Sequence, residues 1–161
     1  MKTTPLTLLT ALLLLVLTTS AGRAQTEDYT ITCGGQGRDG QYLVKVTTRV
    51  SKKADGAQEL KRYAVHGVIT RGFAGDEAGC IPQKALVTDA RALTEHRATL
   101  TALLSDGGGY ERYVTLVSGS YSSTLLKKKK MEVEALLLVD KESLLHWLED
   151  RGVVKGFSNF W

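Results

Sequence analysis

The sequence predicts an α+β domain, a mainly antiparallel sheet with about three helices packed on one face. Three observations carry this. Residues 41–50 and 131–139 separate apolar and polar side chains with a period of two, as half-buried strands do. Residues 54–70 and 90–104 instead repeat apolar residues at helical spacing. The 131–139 run then passes through Asp140 directly into a third helical pattern, giving the order β-β-α-α-(β)-β-α.

The first strand is the short run Tyr29-Thr30-Ile31-Thr32-Cys33. The bend after it, CGGQGRDG, spells G-x-G-x-x-G at Gly35, Gly37 and Gly40. A dinucleotide loop needs a helix after its third glycine, with the N-terminus facing the pyrophosphate. Here a β-branched strand follows, so the bend is expected to be a hairpin connection with glycines at positive φ. In that strand Tyr42, Val44, Val46, Thr48 and Val50 share one face, and Leu43, Lys45, Thr47 and Arg49 the other. In the helix at 54–70, Ala57, Leu60, Ala64, Gly67 and Val68 form one stripe, widened by Val65 and Ile69. Glu59, Arg62 and His66 fall opposite, and Gly67 permits close contact with a sheet or another helix. Residues 71–83 hold three glycines and a proline and predict a loop.

Asp89 or Thr88 is placed to cap a helix over 90–104, with Leu93, Leu100 and Leu104 on its apolar stripe and the Arg97 stem along the border. Asp106-Gly107-Gly108-Gly109 ends it. Residues 110–117 leave helix and strand open, and 119–123 read as a polar turn. Met131, Val133, Ala135, Leu137 and Val139 then alternate with charged residues, while Leu136 and Leu138 imply burial of the strand's second half on both faces. Asp140 is an N-cap, and Leu144, Leu145 and Leu148 give the last helix its buried stripe. Arg151-Gly152 stops it, with Val153 packing back.

Residues 1–24 have the three-part layout of a cleavable secretory signal: Lys2, an apolar block from Leu6 to Leu17, and small residues in Gly22-Arg23-Ala24. The block is shorter than the roughly 20 apolar residues of a span. Cleavage after Ala24 would leave 25–161, or 161 − 24 = 137 residues, enough for one globular domain with no transmembrane segment. Loss of Lys2 and Arg23 lowers the formal charge from +4 to +2. Charges of both signs are mixed along the remainder, which argues against nucleic acid as a partner. Cys33 and Cys80 are a candidate disulfide in an exported chain; 47 positions apart, they would gain roughly 4 kcal/mol on closure. Two cysteines without a C-x-x-C pair do not make a zinc site.

No reactive constellation is evident. His66, His96 and His146 fall in three different helices, without metal-ligand spacing. The serines of VSGSYSS (118–123) lack a nucleophile elbow. The adjacent carboxylates Asp76-Glu77 and Glu149-Asp150 point in different directions, and no cofactor is implied. The most charged feature is Lys127, Lys128, Lys129 and Lys130. Placed on a strand, these lysines would face alternate sides and discourage edge-to-edge aggregation, or hold an anionic partner. With Arg71 and Phe73 of the 71–83 loop they are the candidate partner-binding residues. The tail Phe157, Phe160 and Trp161 either ties the terminus down or docks elsewhere.

Two strings, LKRYAVHGVITRGF and VEALLLVDKESLLHWLEDRGVVKGF, with PQKALV and LLSDGGGYERYV between them, resemble short exported proteins of Gram-negative bacteria. The resemblance spans most of residues 40–157. It implies an exported α+β domain and transfers no activity or catalytic residue. The expectation is therefore a non-enzymatic exported envelope protein, periplasmic or extracellular, acting as an interaction or assembly module for another envelope protein. A hydrolase with a site assembled from distant residues, and a small-ligand carrier, are the alternatives.

Overall fold

The computed structural model describes residues 28–75 and 80–156. The expected leader, the Asp76-Glu77 pair and the aromatic tail lie outside them. The architecture is an α+β fold built on a five-stranded antiparallel sheet. Strands β1 (Tyr29–Gly35) and β2 (Gln41–Ser51) form a hairpin, with Tyr29 opposite Thr48 and Cys33 opposite Val44. The Gly-rich stretch is the bend between them. Gln41 N donates to Arg38 O at 2.9 Å, and Gly40 takes φ +76°, a conformation that glycine adopts without steric cost. A phosphate loop has no place in this geometry, because no helix follows Gly40.

Helix α1 (Gly56–Thr70) starts at Asp55, whose side chain accepts from Ala57 N and Gln58 N. At its other end the last-turn carbonyls are taken up in order. Arg71 N and Gly72 N bond Gly67 O, Leu86 N bonds Val68 O, and Val87 N bonds Ile69 O. The 71–83 loop therefore returns along the helix end that it leaves. Leu60, Ala64, Val65, Val68 and Ile69 press on Val44, Val46 and Val50 of β2 and on Val133, Ala135, Leu137 and Val139 of the last strand, all within one buried cluster. Gly67 lies against β1: a Cβ there would stand 2.8 Å from Ile31 Cδ1 and 3.3 Å from Tyr29 Cε2. This is the close contact that a glycine on the buried stripe permits.

The expected helix over 90–104 is two, α2 (Ala90–Glu95) and α3 (Arg97–Leu104), separated at His96 (φ −98°, ψ 16°). Thr94 Oγ1 bonds Ala90 O inside α2, a back-bond that bends helices. Residues 110–117, left open by sequence, hold both forms: one 3₁₀ turn, Tyr110–Tyr113, then β3 (Val114–Leu116). The expected polar turn at 119–123 runs into an unforeseen strand, β4 (Ser122–Leu125).

Strand β5 (Lys130–Asp140) pairs with β2 along its whole length, from Ser51 opposite Lys130 to Gln41 opposite Asp140. Its other edge takes β3 and then β4. Between these two short strands the ladder is bridged by a side chain: Ser120 Oγ donates to Val117 O and accepts from Leu136 N. The serine of VSGSYSS is thus a structural plug. Helix α4 (Lys141–Asp150) begins at Asp140, which accepts from Ser143 N and Oγ, and buries Leu144 and Leu148. Val153 N bonds Leu148 O and its side chain packs back, as the Arg151-Gly152 stop implies.

Helices α1, α3 and α4 contribute to the core on the sheet's apolar face. The opposite face is laced across strands. Lys45 Nζ meets Glu134 at 3.0 Å, Arg49 Nε meets Glu132 at 3.3 Å, and Thr47 Oγ1 donates to Glu134 at 2.9 Å. The Lys45 hydrogen bond, helped by Thr47, holds the Glu134 carboxyl below its ordinary range.

Candidate functional site

The four consecutive lysines do not lie along a strand as expected. Lys127–Lys129 form a single 3₁₀ turn at the tip of the β4–β5 hairpin, and only Lys130 begins β5. Lys128 and Lys129 both have left-handed backbone, φ 63° and 60°. Such a pair suits the right-handed twist of a hairpin and is usually supplied by Asn-Gly. Lysine is unusual there, so no turn residue marks the position. The consequence is a projecting knob in place of side chains alternating between two faces.

The register adds a second basic segment that sequence reasoning missed. Ser51 is opposite Lys130, and Lys52 N donates to Lys129 O at 3.0 Å, so Lys52 and Lys53 leave β2 beside the hairpin tip. Pairing the two alternating strands in register was the signal that could have revealed it. All six lysines are exposed, and among the described residues none is in an ion pair. The nearest acids in sequence, Asp55 and Glu132, are committed to capping α1 and to Arg49. Six like charges raise the local potential and their own mutual repulsion, which an incoming anion relieves. Alongside runs β4, exposed at all four residues, with Leu125 64% and Tyr121 41% accessible. Among the described residues it pairs with β5 alone, so its outer edge offers backbone donors and acceptors that no described strand takes up.

The other candidate contact residues are differently placed. Phe73 is 8% exposed and sits edge-on to Tyr42 at 5.3 Å, so it anchors the loop to the core instead of facing a partner. Its backbone bonds Gln83 in both directions at 2.9 Å. Arg71 is exposed, but its guanidinium lies 4.1 Å over the Tyr29 ring and bonds Tyr29 O. Cys33 and Cys80 are joined in a disulfide, with Cα atoms 6.2 Å apart, which fastens the loop to the β1–β2 bend.

The histidines do not converge. His66 Nδ1 shares a 2.6 Å hydrogen bond with the Tyr29 hydroxyl, and Tyr29 in turn stacks on Tyr63 at 4.6 Å. His96 marks the α2–α3 junction. His146 is exposed on α4, 3.8 Å from Glu149. His66 does line a cleft of about 790 Å³ between α1 and the α2–α3 pair, together with Ser105 and Asp28. Ser105 Oγ, however, donates to Ala102 O at 2.8 Å, and the hydrogen bonds of this serine and this histidine do not link them as nucleophile and base. Among the described residues no group of three His, Cys, Asp or Glu side chains is disposed to hold a metal ion, and no helix is long and apolar enough to cross a membrane.

Comparison with family models, curated protein sequences and solved structures finds no match to this chain.

Proposed function

We propose that this chain is a non-enzymatic exported protein of the cell envelope, of the kind its sequence resembles, and that it acts as an interaction module. In this reading the lysine knob and the β4 edge together receive an extended acidic segment of another envelope protein. The segment adds a strand to β4 through backbone hydrogen bonds, and its carboxylates meet the lysines. The observation that carries the reading is six exposed lysines without a carboxylate partner among the described residues, beside an exposed strand whose outer edge no described segment pairs. The disulfide and the leader-like N-terminus are compatible with export.

The test is capture from envelope extract by the mature chain and by a Lys52→Glu/Lys127→Glu/Lys130→Glu variant, at low and at high salt. A defined acidic protein should be retained by the native chain at low salt, lost as screening shortens the range of exposed charges, and lost in the variant. Failure to retain any protein, or retention indifferent to the charge reversal, rejects the reading.

A further inference from the structure

The cleft between α1 and the α2–α3 pair has walls of two chemistries. On α1, Arg62, His66 and Thr70 follow each other at four-residue spacing and face the cleft together. Facing them are Leu93, Leu100 and Leu104, with Arg97 set among them. Leu100 is buried, while Leu93 and Leu104 keep part of their surface open. The cleft volume, about 790 Å³, lies within the range of small-molecule sites.

Charge in the described lining is unbalanced toward cations, with Arg49, Arg62 and Arg97 against Asp28. Arg97 is exposed and makes no ion pair with any described residue. Arg62 meets Glu59 through Nη2, but its Nε–H is buried without an acceptor. The Arg62 guanidinium, 5.3 Å from the Tyr63 ring centroid, is thus largely engaged within α1, and Arg97 is left as the lining cation without a described carboxylate partner. The lining holds one carboxylate, that of Asp28, at the start of the sheet; there the Asp28 backbone carbonyl accepts from Thr48 Oγ1. Arg49, also at the rim, is already engaged by Glu132.

A plain inorganic anion would leave the leucine wall wet, and a plain hydrocarbon would bury the arginines without an acceptor. We propose that the cleft binds an amphiphilic carboxylate, with the acid group held by Arg97 in the positive field that Arg62 adds to, and the aliphatic chain laid along Leu93, Leu100 and Leu104. Arginine suits this role because its fork matches a carboxylate in two parallel hydrogen bonds. The site is separate from the lysine knob and stands whether or not that knob binds a protein.

Dodecanoate titrated below its micelle concentration should bind saturably, with dodecyl maltoside and acetate each at least about tenfold weaker, since each supplies only half of the complement. Arg97→Met keeps the apolar stem and removes the charge; it should weaken dodecanoate about tenfold or more while leaving thermal unfolding unchanged. Arg97→Gln provides the same readout should the methionine variant be unstable. Lys52→Gln/Lys130→Gln should leave dodecanoate binding unaltered. The proposal is overturned if dodecanoate binds no better than the neutral detergent, if acetate binds equally well, if neither Arg97 variant weakens it, or if binding follows the lysines instead.

Discussion

Along β1, the sheet's outer edge is met by Ala74 in a parallel bridge from Thr32, backed by Gly67 of α1, and tied at Cys33 to the loop that covers it. Along β4, on the far side of β5, no described segment pairs with the outer edge, and the strand ends in a knob of lysines that no described carboxylate meets. Both edges face the same hazard, a row of backbone groups able to template another chain. One is bridged at Thr32 and fastened covalently at Cys33. The other is guarded by charge, which repels a second copy of this chain but admits a strand of opposite sign. An edge protected by charge is also a selective one, whereas an edge held by a bridge and a disulfide does not discriminate by sign.

The comparison is most severely broken by removing the disulfide. Cys33→Ser/Cys80→Ser should lower stability by about 4 kcal/mol, the nominal value for a loop of this length, as read by denaturant unfolding with and without reductant. Reductant should destabilise the native chain and leave the variant unmoved. Next comes Gly67→Ala, whose added methyl must displace Ile31 and Tyr29 beneath β1. A loss of about 1–3 kcal/mol is expected, with hydrogen exchange accelerated in β1 before β4. On the open side the change should have the opposite sign. Lys128→Asn/Lys129→Gly gives the hairpin residues that suit left-handed backbone and removes two like charges. Thermal unfolding should show a gain of about 1 kcal/mol.

The smallest effect concerns Glu134 on the sheet's solvent face. Its carboxyl is held below the ordinary range by the hydrogen bond from Lys45, so the folded state binds its proton less readily than the unfolded chain does. The stabilisation is therefore complete above the unfolded carboxylate range and lost as pH falls through Glu134's own lower value. Glu134→Gln should cost less than about 1 kcal/mol at neutral pH, since the pair is exposed. The gap from the native chain should close in acid, measured as unfolding midpoints across pH.

Much of the fold was legible wherever local pattern and burial agree. The alternation in β2 and β5, most of the α1 stripe and the caps of α4 emerged as read, because each element buries one face against the same core. The Asp55 cap of α1 was not read, and Leu145 lies off the buried stripe of α4. Strand β4 was not legible: Ser122, Ser123, Thr124 and Leu125 bury nothing, and their strand geometry comes from pairing with β5. The break at His96 was hidden because the leucine spacing continues across it. In the lysine knob, the charge was plain but the turn was not, since the positions taking left-handed backbone carry neither glycine nor asparagine. The cleft was missed for a subtler reason. Arg62 and His66 fall opposite the apolar stripe of α1, and the stripe alone does not show that they look across at the leucines of α2 and α3.

The position of β5 has a consequence for the order in which the molecule can be completed. The ring closed by Cys33 and Cys80 contains β2 and α1, while β5 lies outside it and 50 residues later along the chain, counting from Cys80 to Lys130. Yet β5 is the strand to which β2, β3 and β4 are all paired. A chain emerging from its N-terminus can assemble the hairpin and helix and seal them covalently while the centre of the sheet is still missing. Three strands then wait for one late arrival, so the apolar face of a half-built sheet stays open until residues 130–140 are free to enter.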